Sequence, residues 1–135
     1  MKKVLIASDG SAPAEKAAKA GIDLASKTGA RVTFVHVILV NAPKPLTSKE
    51  VDASKEKKAQ TVFDSLEAKA KDAHVPYGVL VLAARNTADA ILEEAQHHDL
   101  LVVGRRGLGG LEKMLLGSVS EKLVQNASCS VLVVK

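Results

Sequence analysis

"DLLVVGRRGLGGLEKMLLGSVS", residues 99–120, sets an unbroken apolar run, Leu100 to Val103, directly against five glycines at positions 104, 107, 109, 110 and 117. A strand with one wet face alternates apolar and polar residues; a run without alternation reads as a strand covered on both faces, as in a parallel sheet. The same texture recurs in "KVLIAS" (3–8), "RVTFVHVILV" (31–40), "YGVLVL" (77–82) and "SVLVVK" (130–135). Between these runs, small and apolar residues return at helical spacing. The sets are Ala14, Ala17, Ala18, Gly21, Ile22 and Ala25; Ala59, Val62, Phe63, Leu66, Ala70 and Ala73; Ala88, Ile91, Leu92 and Ala95; and Leu116, Val119, Leu123 and Ala127. Ser11 before Ala12-Pro13 marks a helix start, Gly29 a helix stop, and Asn86 or Thr87 a second start. Strict strand–helix alternation implies right-handed crossovers. The expected fold is α/β: a five-stranded parallel sheet with helices on both faces.

The chain has 135 residues, 47% of them hydrophobic and 25% charged, which suits a single domain spanning 1–135. Asp9 ends the apolar run behind Met1-Lys2-Lys3 too early for an export signal, and no stretch reaches the length of a membrane span. The single cysteine, Cys129, excludes an internal disulfide, and the economical compartment is the reducing cytoplasm. A formal charge of +4 raises nucleic acid as a partner. The bases, however, are interleaved with acids, as in "KEVDASKEKK" (49–58), and only Phe34, Phe63 and Tyr77 offer rings for stacking, which argues against it. The segment from Leu39 to Ser48, with Pro43 and Pro45, reads as a loop able to close over a ligand.

Ligands of such sheets bind beyond the carboxyl ends of the strands, where strand order reverses. Two strand-to-helix junctions attract attention: "ASDGS" (7–11) and the glycine-rich stretch after the fourth strand. With strands one and four adjacent, both face one crevice. Gly104 and Gly107, lacking Cβ atoms, let the main chain approach phosphate oxygens. The N–H groups of Ser118, Val119 and Ser120 then meet an anion at the positive end of the fourth helix, and the hydroxyls of Ser118 and Ser120 add donors. Arg105 supplies charge; Arg106 and Lys113 read equally well as solubility charges. No Gly-Lys-Ser or Gly-Lys-Thr occurs, and the first junction holds only Gly10 where a GxGxxG fingerprint needs three glycines. Taken alone, the glycine-rich stretch also reads as a flexible connection with Ser118 as an ordinary helix cap. His36 reads as a core histidine in mid-strand. His97 and His98 lack the spacing of a metal pair on one helix face, and no metal site or catalytic residue is assigned.

The spacing Gly104-x2-Gly107-x9-Gly117-Ser118 resembles the G-2x-G-9x-G-(S/T) pattern of the ATP-binding branch of the universal stress protein family. "KVLIASDGS", "RVTFVHV" and "GSVSEKLVQNASCSVLVVK" extend the resemblance over the whole chain. It implies a Rossmann-like, adenine-nucleotide α-hydrolase-like fold with strand order 3-2-1-4-5. It implies that Ala7, Ser8 and Asp9 meet adenine and ribose, with the Asp9 carboxylate on the ribose hydroxyls, and that Val37 meets adenine. Val103 is implied as a further base or ribose contact, and Gly104, Gly107, Gly117, Ser118, Val119 and Ser120 as the ribose and phosphate cradle. The implied ligand is ATP, with or without Mg²⁺, with AMP and ADP as alternatives. The implied partner is a second copy, paired antiparallel through Val131 to Val134. Arg85 and Thr87 depart from the glycine and proline frequent in relatives. The expected role is a nucleotide sensor or switch in the stress response. Two alternatives stand beside it: a weak ATPase, and a dimeric interaction module with a vestigial pocket.

Overall fold

A computed structural model describes residues 1–41, 53–105 and 116–135. The strands are β1 (Lys3–Ala7), β2 (Arg31–Leu39), β3 (Tyr77–Ala84), β4 (Leu100–Gly104) and β5 (Ser130–Val134). Between them run the helices α1 (Ala12–Thr28), α2 (Ala53–Asp72), α3 (Thr87–Ala95) and α4 (Ser118–Asn126). All pairings are parallel, and the strand order is β3-β2-β1-β4-β5, as expected.

The order dictates which helix covers which face. From β1 to β2 to β3 the chain steps one way along the sheet; from β3 it returns across to β4 and continues to β5. Right-handed crossovers therefore put α1 and α2 on one face and α3 and α4 on the other. The buried side chains divide accordingly. Val4, Ile6 and Phe34 pack with Ile22 of α1 and Phe63 and Leu66 of α2. Leu5, Val35 and Leu101 pack with Ile91 of α3 and Leu123 of α4. At β1 and β4 the chain turns off to opposite faces, and this opens the crevice between them.

Local chemistry sets the helix ends. Ser11 caps α1, its hydroxyl accepting from the Ala14 N–H at 3.3 Å, and Gly29 closes it in the left-handed region at φ +74°. The face that α1 turns to the sheet is mostly alanine with Gly21, so the helix lies close: a Cβ on Gly21 would stand 2.7 Å from Ile6 Cδ1. Asn86 caps α3 by accepting from the Asp89 N–H at 3.0 Å.

The reading of every strand as covered on both faces holds for β1 and β4 but not at the sheet edges. On β3, Val79 and Val81 are each 46% exposed while Leu80 and Leu82 turn inward against the α3 side. An edge strand lies beyond the full cover of the helices, so its outer positions stay apolar without being buried. The fourth helix begins at Ser118, which leaves Leu116 outside it. At the amino end of the sheet, Asp99 Oδ2 accepts from the N–H groups of Lys2 at 2.8 Å and Lys3 at 2.9 Å. These two backbone bonds hold its carboxyl below the usual carboxylate range.

Candidate functional site

The first side of the crevice is the turn from β1 into α1. Ser8 N–H donates to Val35 O at 3.1 Å, which carries the β1–β2 ladder one residue past the strand. The chain then folds back on itself. Gly10 N–H donates to Ser8 Oγ at 3.1 Å, Ser11 N–H donates to Asp9 Oδ1 at 3.0 Å, and Gly10 takes φ +84°. Asp9 is thereby held by one carboxylate oxygen. Its Oδ2 has no partner among the described residues and remains available as an acceptor. The turn is anchored from below by His36, whose Nδ1 lies 2.9 Å from Ser8 O.

The second side is the exit from β4. Arg105 N–H donates to Val134 O at 3.0 Å, and Arg105 O accepts from Gly117 N–H at 2.8 Å. The two ends of the glycine-rich stretch are thus tied together at its base, placing the start of α4 beside the end of β4. The first bond within α4 runs from Glu121 N–H to Gly117 O at 2.8 Å, so the N–H groups of Ser118, Val119 and Ser120 precede it and face out of the helix end. Gly117 brings no side chain to occupy them.

Against the first side, walled by the ends of β1 and β2 and the starts of α2 and α3, lies a cleft of about 330 Å³, in the size range of small-molecule sites. Ala7, Ser8, Asp9 and Val37, four of the residues expected from the sequence, line it. A groove of about 390 Å³, lined by Ser118 and Val119, adjoins it through Leu39 and Thr87, which border both. The residues expected to meet base and ribose and the start of α4 therefore border two hollows that share Leu39 and Thr87.

Other expected residues are placed differently. Val103 is fully buried, packed toward α3 and α4, and Gly104 is buried at the end of β4. The Ser120 hydroxyl donates to Gly104 O at 2.8 Å, so its single proton is committed within the protein and only its N–H is left to meet an anion. Arg105 is half-buried at the loop base. Gly107, with Arg106, Lys113 and the positions Pro43 and Pro45, lies outside the described residues.

The structure also brings in groups that sequence patterning did not single out for the site. His36, Lys55, Lys58 and Thr87 all line the cleft. Lys55 and Lys58 stand on the first turns of α2, where the sequence shows only a solvated charged run; the Lys55 Nζ donates to Leu39 O at 3.0 Å. Thr87 is the first residue of α3. The signal for His36 was a lone polar residue in the apolar stretch "FVHVIL", which is equally the signal of a core histidine. Cys129 lies at the opposite end of the sheet, beside the start of β5, and burial pushes its thiol up, away from the nucleophilic thiolate. Among the described residues, no three His, Cys, Asp or Glu side chains come together as a metal cluster.

This crevice, at the switch point of a five-stranded sheet, belongs to a known lineage. A family model described as the universal stress protein family matches residues 1–135. The chain belongs to the universal stress protein family. Among its relatives in that family, a universal stress protein of Methanocaldococcus jannaschii is 33% identical over 99% of this chain and 82% of its own length. The universal stress protein YxiE of Bacillus subtilis is 31% identical over 98% of each chain. Solved universal stress protein structures share the fold. One in complex with cAMP superposes with a TM-score of 0.81 at 22% identity, covering 99% of this chain and 97% of that one. One from Archaeoglobus fulgidus in complex with dAMP gives 0.77 at 18%, covering 100% and 98%. One from Arabidopsis thaliana with AMP bound gives 0.71 at 20%, covering 100% and 92%.

Proposed function

We propose that this universal stress protein binds an adenine nucleotide in the crevice between β1 and β4, and that it serves as a nucleotide sensor or switch in the cytoplasmic stress response. The observation that carries the reading is the adjacency of the two hollows. An acceptor carboxylate oxygen at Asp9, an apolar wall at Val37 and an open helix end at Ser118 and Val119 border two adjoining hollows. That sequence of surfaces is complementary to a hydroxyl-bearing sugar, a flat base and a phosphate chain. The AMP, dAMP and cAMP named with three structural neighbours are the same class of molecule. ATP is the ligand that the Gly104, Gly107, Gly117, Ser118 motif suits.

In this reading Ala7, Ser8 and Asp9 meet adenine and ribose, with the Asp9 carboxylate on the ribose hydroxyls, and Val37 meets the adenine. Val103 and Gly104 contribute through the main chain at the end of β4. Arg105, Gly107, Gly117 and the N–H groups of Ser118, Val119 and Ser120 take the phosphates. Homodimerisation through Val131 to Val134 belongs to the same proposal.

Titration calorimetry with ATP, ADP and AMP, with and without Mg²⁺, tests it, and phosphate release measured in parallel separates binding from hydrolysis. Asp9→Asn removes the charge while keeping the size, and is expected to weaken binding by at least about tenfold, the usual scale for hydrogen bonds to a charged acceptor. Heat signals absent for all three nucleotides would remove the site assignment.

A further inference from the structure

His36 is only 6% exposed. Its ring is held from two directions. Nδ1 lies 2.9 Å from Ser8 O, and the Phe63 ring stands nearly perpendicular to it, at a centroid distance of 6.4 Å and an interplanar angle of 84°. A carbonyl oxygen only accepts, so Nδ1 carries the hydrogen, and in the neutral ring Nε2 presents a lone pair. That nitrogen has no protein partner among the described residues. No side-chain nitrogen or oxygen among them is both fully occluded and unpaired, so Nε2 reaches the surface of the cleft that His36 lines. An accepting nitrogen in the wall of the cleft is placed to take a hydrogen bond from a donor group of a molecule bound there.

We propose that His36 is a specificity-determining residue whose Nε2 accepts a hydrogen bond from a donor group of the bound nucleotide. The donor is the exocyclic amino group of adenine or a hydroxyl of the ribose. Nδ1 and Nε2 then have different tasks: the first holds the Ser8–Asp9 peptide in place, the second reads the ligand. The proposal rests on the nucleotide reading above.

Two substitutions separate the tasks. Asn at position 36 places an amide N–H near the Nδ1 position and keeps the bond to Ser8 O, but offers nothing at Nε2. Gln places an amide oxygen near Nε2 and keeps an acceptor there. By calorimetry His36→Asn is expected to bind AMP about fivefold more weakly than the unaltered protein, the usual scale for one neutral hydrogen bond, and His36→Gln to stay closer to it. IMP, which lacks the amino donor, and 2′-deoxy-AMP, which lacks a hydroxyl, identify the group. The unaltered protein is expected to discriminate against one of them, and His36→Asn to lose that discrimination.

A measurement on the unaltered protein stands apart from folding of the variants: the ¹⁵N resonance of His36 Nε2 is expected to move upfield as AMP is added. AMP binding with an unmoved Nε2 resonance, or equal analogue discrimination in the unaltered protein and His36→Asn, overturns the role of His36 and leaves nucleotide binding intact. Absence of binding to the unaltered protein removes both.

Discussion

At Gly10 the chain leaves β1 with φ +84°, and a Cβ there would stand 2.9 Å from Val62 Cγ2 on α2. Any L-residue pays for that backbone region, by about 1–2 kcal/mol, before the contact with Val62 is counted. Gly10→Ala is therefore expected to lower the melting temperature and to weaken nucleotide binding with it, because Asp9 precedes the strained residue; an unchanged melting curve would contradict this. In the sequence Gly10 stands out only as one glycine where a dinucleotide fingerprint needs three. Its dihedral angle was invisible there, because glycine is compatible with every turn and specifies none. Ser120 shows the converse. As a serine in the first turn of a helix it read as an anion donor, and the fold gives its proton to Gly104 O instead.

Among the elements, β1 and β4 carry the crevice, and their amino ends are tied by Asp99 accepting from the Lys2 and Lys3 N–H groups. Those bonds favour the ionised carboxylate, so its folded pKa lies below the ordinary 3.8. A depressed carboxyl contributes its stabilisation above the unfolded value and loses it as the pH falls through the folded one. Asp99→Asn is thus expected to melt below the unaltered protein at neutral pH, with the gap closing once the pH falls below 3.8. A gap that stays constant through the acid range would show that charge plays no part. This tie lies at the end of the sheet opposite the cleft, so nucleotide affinity at neutral pH serves as the control and is expected to hold. The helices were legible from their spacing, yet the close seating of α1 depends on Gly21 facing Ile6, a contact between residues fifteen apart in the chain that no local pattern states.

For the molecule as a whole, β5 is an edge strand that pairs with β4 on one side, and Val131 to Val134 are half-buried. Apolar edges of this kind invite a further strand. Light scattering is expected to report a mass near twice the 14.2 kDa of one chain, and a single-chain mass across the micromolar range would set the dimer proposal aside.

What the sequence determined by itself was the alternation of elements, the parallel sheet and the two junctions from which a site could be built. Unbroken apolar runs and helical periodicity follow from burial, and burial is written locally in residue type. What only the tertiary structure decided was which groups converge. The free oxygen of Asp9, the committed hydroxyl of Ser120 and the open nitrogen of His36 depend on where β2, β4 and α4 come to rest around β1. A hydrogen bond is settled by the position of two partners in space, and the bond from His36 to Ser8 spans 28 residues of chain.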